Sequence, residues 1–146
     1  MGLKLLFICT GNTCRSPIAE GLARDLFGDE VQVSSAGIEA WTGENASPHA
    51  LEVLAEHNID LSEHRARKIR EELMSEADWV IPMTRSQAEG LKRLFPKHAH
   101  KLRCLGDWGE RKRDVQDPWG GSLISYRQTA QEIRELLGIL KEQLNV

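Results

Sequence analysis

Cys9-Thr10-Gly11-Asn12-Thr13-Cys14-Arg15-Ser16-Pro17 is the stretch on which the reading of the chain turns. Before it, Leu3-Lys4-Leu5-Leu6-Phe7-Ile8 is an almost unbroken apolar run. A run this short, ended by a turn signal, reads as a parallel strand buried on both faces. After it, Ser16 is a good N-cap and Pro17 suits a first helical position. Ile18, Ala19, Leu22, Ala23, Leu26 and Phe27 then repeat on one helical face, and Gly28 ends the helix. Strand, small polar loop and helix N-terminus form a junction whose free N–H groups and dipole favour an anion. A cysteine at the strand end and an arginine closing the loop make that cradle a candidate active site.

The rest of the chain repeats the alternation. Val31–Ser35 reads as a second strand, and Ser47-Pro48 opens a helix ending near His57-Asn58. Residues 59–69 read as irregular and residues 70–75 as a short helix. Asp78–Met83 reads as a third strand, with Pro82 near its end. Thr84-Arg85-Ser86-Gln87 fits a capping box. Lys101–Leu105 reads as a fourth strand, with Cys104 in its middle as a core residue. A long polar loop runs from Gly106 to Gly121, and Ser122–Leu144 is a last helix. Its core candidates are Ile124, Ile133, Leu136, Leu137, Leu140 and Leu144, and Tyr126 reads as helix packing. The expected fold is a single-domain α/β sandwich over residues 1–146, with helices flanking a parallel sheet through right-handed crossovers. Ligands of such folds bind at the carboxyl ends of the strands, where the Cys9 loop and the Asp117 loop both lie.

Composition narrows the function. The chain has 146 residues, 40% apolar and 28% charged, with a net charge of −3. That balance gives no reason to expect nucleic acid or a membrane surface as partner. The first apolar run is too short for a signal peptide, and no stretch is long enough to span a bilayer. Three cysteines are not a secreted disulfide framework, so reduced thiols and a cytoplasmic setting are expected. No paired Cys-x-x-Cys or His spacing suggests zinc, and neither metal nor cofactor is expected.

The loop's chemistry follows from its residue types. A free thiol is mostly protonated at neutral pH, and a helix N-terminus with a nearby cation favours the thiolate. Cys9 has both, in the helix from Pro17 and the guanidinium of Arg15. Gly11 is expected to supply the positive φ that lets the loop curl. Arg15 offers a planar fork matched to phosphate oxygens. Ser16 or Thr10 could donate a hydroxyl hydrogen bond to the thiolate. A nucleophile under a bound phosphoryl group results. The plain alternative is a strand-to-helix turn with a buried cysteine.

The nine-residue stretch resembles the phosphate loop of the low-molecular-weight protein tyrosine phosphatase family. Ser35-Ala36-Gly37, His64 with Ala66-Arg67, Ala77–Met83 and Asp117-Pro118 resemble further segments of that family. The resemblance covers essentially the whole chain and implies a four-stranded parallel sheet. It implies that Cys9 is the nucleophile forming a phosphocysteine, that Arg15 binds the phosphoryl oxygens, and that Asp117 is the acid and then the base. It also implies that Thr10, Gly11, Asn12, Thr13 and Cys14 line the phosphoryl site with Arg15, and that Asn12, Ser16 and His64 hold the loop. From the residues alone, Asp117 is marked only by the proline after it and its place in the long loop, and an ordinary Asp-Pro turn is the alternative. For His64 the plain alternative is a surface histidine in a charged segment.

Two features depart from the phosphotyrosine pattern and resemble the protein arginine phosphatase branch. Thr13 stands where an aliphatic residue is usual, and Trp119 is followed by Gly120-Gly121 instead of a second aromatic. A hydroxyl at Thr13 can accept from the planar, donor-rich guanidinium of phosphoarginine, whereas an isoleucine would leave a donor unpaired. Trp119, and less readily Trp41, are candidates for the pocket mouth. Cys14 is either a small packing residue or a partner for Cys9 in reversible oxidation. Arg111-Lys112-Arg113 reads more readily as a solvated loop than as a docking site. The expected activity is hydrolysis of phosphoarginine in proteins, by a monomer releasing inorganic phosphate. The alternatives are a tyrosine phosphatase, and more remotely a non-catalytic phosphate-binding module or phosphoryl carrier. An arsenate reductase would need further redox cysteines in a mobile segment.

Overall fold

A computed structural model describes residues 2–109 and 112–146. Strand β1 (Leu3–Cys9) lies between β2 (Val31–Gly37) and β3 (Trp79–Pro82), all parallel. The register runs from Leu3 opposite Val31 to Cys9 opposite Gly37, and from Leu5 opposite Trp79 to Ile8 opposite Pro82. The apolar run of β1 has a simple cause. Leu5, Phe7 and Cys9 face one core and Leu6 and Ile8 face another, so both faces must be apolar.

Helices cover the two faces. On the first lie α1 (Arg15–Phe27), α2 (Pro48–Glu56) and α5 (Leu123–Leu144), burying Ile18, Leu22, Val53, Leu54, Ile133 and Leu137. On the second lie α3 (Glu71–Glu76) and α4 (Arg85–Leu94), burying Met74 and Leu91. Local signals set several ends. Ser47 accepts from Ala50 N–H with Pro48 at the first position, Gly28 follows α1 at φ 69°, and Ser122 caps α5. Thr84 and Gln87 make the capping box in both directions.

The sheet has three strands, not the four expected. The chain over 101–105 gives one parallel bridge, Leu102 to Val80, and one ladder bond, Arg103 N–H to Val80 O at 3.1 Å. Short helical turns, Pro96–Lys101 and Leu105–Trp108, take up the flanks and leave too few extended residues for a strand. Cys104 is buried as expected, although not within a strand. In the last helix Ile124 is not core: it is 62% exposed. Two residues further on, Tyr126 is the residue that turns inward. Arg111 of the basic run lies outside the described residues. Among the described residues no helix is long and apolar enough to cross a membrane.

Because the strands are parallel, Cys9, Gly37 and Pro82 end at one edge. The following segments are tied together there. Ile38 N–H donates to Cys9 O (3.1 Å), Met83 N–H to Ile8 O (3.0 Å) and Val115 N–H to Met83 O (2.9 Å).

Candidate active site

The loop from Thr10 to Cys14 leaves the carboxyl end of β1 and enters α1 at Arg15. It curls through Asn12 at φ 57°. Gly11, expected to supply that turn, has no positive φ, and a Cβ on it would meet nothing closer than Thr13 Oγ1 at 3.6 Å. Asn12 takes the left-handed role because its side chain is repaid in hydrogen bonds. Its Oδ1 accepts from Arg67 N–H at 3.0 Å. That donor fixes the amide orientation, so Nδ2 donates to Ser16 Oγ (2.8 Å) and Ser35 Oγ (2.9 Å). Ser35 in turn donates to Glu20 Oε1 at 2.6 Å.

This chain of donors has a direction. Ser16 Oγ accepts from Asn12, so its own proton is left for Cys9 Sγ, 2.9 Å away. Asn12 N–H adds a second donor to the same sulfur at 3.3 Å. Two donors therefore converge on one buried sulfur. Ser16 is therefore not the N-cap expected of it. Cys14 occupies that position without a side-chain cap bond, because the Ser16 hydroxyl is turned to the cysteine. Of the two candidate hydroxyls, Ser16 reaches Cys9, whereas Thr10 Oγ1 receives the Gln87 side-chain amide at 3.2 Å.

The loop is held from outside as well. His64 Nε2 meets Asn12 O at 2.8 Å. Gly37 permits the close approach of β2: a Cβ there would lie 2.6 Å from Thr10 O and 2.9 Å from Asn12 N. Gly37→Ala is expected to push the loop off its position and lower kcat/KM by about a hundredfold, the scale of an ångström of misplacement. Steady-state kinetics beside a melting curve check it; unchanged kinetics would mean that the loop has slack.

Arg15 is 6% exposed and its guanidinium bridges to the second loop. Its Nη1 donates to Val115 O at 3.0 Å, and Nη2 lies 3.5 Å from Asp117 Oδ2. Val115 is itself anchored to Met83, and with Arg15 bonded to Val115 O from 100 residues earlier in the chain this brings Asp117 over the Cys9 loop. Asp117 Oδ1 also accepts from Trp119 N–H at 3.0 Å. Cys9, Thr13, Arg15, Asp117 and Trp119 line one pocket of about 310 Å³. The expected cradle members Thr10, Gly11 and Cys14 line it too, while Asn12 is buried behind it. Trp41 and Trp119, 80% and 75% exposed, both stand at its wall.

Sequence reading missed the support behind Cys14. Cys14 Sγ lies 3.2 Å from the Tyr126 hydroxyl and donates to Ser47 Oγ at 3.5 Å. Burial, then the contact with the Cys14 thiol, pushes the Tyr126 phenol up to about 12, so it stays neutral at working pH. Nothing local to Tyr126 signals a partner 112 residues away. Cys104 is different: burial pushes its thiol up to about 11, and it donates to Thr84 O. It is inert by that measure. All three cysteines are free thiols, and the described residues contain no His/Cys/Asp/Glu group arranged to hold a metal.

Comparison with known proteins shows the family. The family model described as low molecular weight phosphotyrosine protein phosphatase matches residues 4–146. A protein-arginine-phosphatase of Bacillus subtilis is 40% identical over 146 residues, covering 97% of each chain. A solved low molecular weight protein tyrosine phosphatase from T. tengcongensis superposes with a TM-score of 0.92 at 40% identity, covering 97% of this chain and 99% of its own. A solved arginine phosphatase, a cysteine-to-serine mutant with a phosphorylated active-site serine, gives 0.92 at 39% identity over 98% of this chain and 96% of its own.

Proposed function

Since this chain belongs to the low molecular weight phosphotyrosine protein phosphatase family, we propose that it is a cysteine-dependent protein phosphatase whose substrate is phosphoarginine. Residues 1–146 work as one such domain, as a cytoplasmic monomer needing no metal. The observation that carries the reading is the convergence of Cys9, Arg15 and Asp117 on one pocket with Thr13 in its wall.

The reaction divides into two transfers at one phosphorus. Cys9 thiolate attacks the phosphoryl group, forming the S–P bond as the P–N bond to the guanidino nitrogen breaks. That nitrogen is a poor leaving group unless it takes a proton, which Asp117 supplies from its carboxylic acid form. Arg15 and the loop N–H groups stabilise the equatorial oxygens through fixed charge and dipoles. Asp117, now a carboxylate, takes a proton from water. The water oxygen bonds to phosphorus, the S–P bond breaks, and inorganic phosphate leaves with Cys9 restored as thiolate. One residue serves as acid and then base along the same proton path. The phosphorylated serine of the related mutant supports a phosphoenzyme of this kind.

Thr13 supports phosphoarginine over phosphotyrosine. Its Oγ1 is 3.8 Å from Cys14 Sγ, a weak contact that leaves the hydroxyl free to accept from a guanidinium. A phosphotyrosine ring would bring only carbon to that spot. Arsenate reduction is disfavoured, because Cys104 is buried and its thiol is raised. A phosphoryl carrier is disfavoured by Asp117 standing where it can discharge the phosphocysteine.

Thr13→Ile tests the assignment. Unpairing one guanidinium donor costs roughly 1–3 kcal/mol, so the ratio of kcat/KM for phosphoarginine over phosphotyrosine peptides should fall by about ten- to a hundredfold. An unchanged ratio, or an equal loss on both, removes Thr13 as the selector.

A further inference from the structure

We infer that Glu39 and Glu44 form a second recognition element at the pocket mouth, which takes a lysine or arginine side chain flanking the phosphorylated residue. The inference rests on the protein phosphatase reading and deepens it. Both acids line the pocket that holds Cys9. Cys9, Cys14 and Arg15 are buried while Glu39 and Glu44 are exposed, so the acids ring the opening and the sulfur lies at the floor.

Their position is fixed by the backbone. Glu39 N–H donates to Thr10 O at 2.9 Å, tying it to the phosphate loop. Glu44 N–H closes a turn onto Trp41 O at 3.2 Å, and Glu44 O accepts from Ala66 N–H at 2.7 Å. Among the described residues neither carboxylate has an ion-pair partner.

The charge balance is the argument. Besides the acid Asp117, two carboxylates that the reaction does not use, Glu39 and Glu44, line the pocket, against one cation there, Arg15. A phosphoryl dianion approaching such a rim is repelled unless positive charge travels with it. The guanidino nitrogen next to phosphorus accounts for Asp117 as its proton donor. The two outer acids are matched by cations on neighbouring residues of the substrate chain. Trp41, 80% exposed in the same pocket lining, adds an aromatic ring on which such a cation can stack.

The test uses matched peptides carrying phosphoarginine with lysine on both sides or glutamate on both sides, and the same pair carrying phosphotyrosine. At low salt the lysine-flanked peptide should have a kcat/KM about two- to tenfold higher, the scale of exposed ion pairs, with the ratio shrinking as salt rises. Glu39→Gln with Glu44→Gln should bring the ratio to about one. Removing equal charge by Asp25→Asn with Asp29→Asn, at the amino ends of the strands, should keep it. A wild-type ratio near one, or a ratio that survives the Glu39/Glu44 pair of changes, overturns the inference. A lysine preference on phosphotyrosine peptides with phosphoarginine poorly turned over would overturn the proposed substrate and leave the rim standing. Phosphoarginine turnover blind to its flanks would do the reverse.

Discussion

Cys9→Ser should lower kcat by about a thousandfold or more, while the protein stays folded and still binds oxyanions. The size of the loss follows from chemistry: a nucleophile that acts as a unit with its partners leaves only the electrostatic cradle when removed. A serine hydroxyl at neutral pH lacks the charge that a thiolate brings to phosphorus. Folding should survive because the two groups are nearly isosteric. Serine at this position can receive the same hydrogen bonds, from Ser16 Oγ and Asn12 N–H, that now reach Cys9 Sγ. Phosphate or vanadate binding, followed by calorimetry, separates the two roles of the loop. Binding should persist, since Arg15 and the backbone of α1 are untouched. Turnover within a few-fold of wild type would rule out Cys9 as the nucleophile.

Asp117→Asn should be the second largest loss, about a hundred- to ten-thousandfold in kcat on phosphoarginine, the range of a positioned general acid–base. Asparagine keeps the shape and can still accept from Trp119 N–H. It cannot deliver a proton to the departing nitrogen. Its carboxamide also leaves Arg15 Nη2 without the charge now 3.5 Å away. A purely electrostatic or structural role would slow all substrates alike. A proton donor slows most the substrate whose leaving group most needs the proton. The loss should therefore be much smaller on p-nitrophenyl phosphate, whose leaving group needs no proton. Equal losses on both substrates would assign Asp117 to holding Arg15, not to proton transfer.

What could be read in advance was what is local. The run from Leu3 to Ile8 is apolar at successive positions because each face of β1 meets its own core. The Thr84–Gln87 capping box lies within four residues of chain, and both halves form. Cys9 and Arg15 are six apart, so their meeting at one loop follows from spacing. What escaped depends on distant partners. Ser16 looks like a cap until Asn12, itself anchored by Arg67, turns its hydroxyl to Cys9. The left-handed residue is Asn12 and not Gly11, since only Asn12 gains bonds to Ser16, Ser35 and Arg67 there. Residues 101–105 carry the composition of a strand, but turns on either side leave one bridge. Tyr126 and Glu39 join the site only once α5 and the loop after β2 are placed against the phosphate loop. Asp117 is the intermediate case. Its proline and its loop mark it, but its distance to Arg15 is set by the Val115 tie to β3.

The central claim is that Cys9 and Asp117 act on a phosphoryl group carried by a guanidino nitrogen. The most direct measurement is kcat/KM of the wild-type protein on one peptide sequence carrying phosphoarginine or phosphotyrosine at the same position, with inorganic phosphate release as the readout. Faster hydrolysis of the phosphoarginine peptide, by tenfold or more on the scale of one satisfied buried donor pair, is the expected result. Equal rates, or a preference for phosphotyrosine, would contradict it.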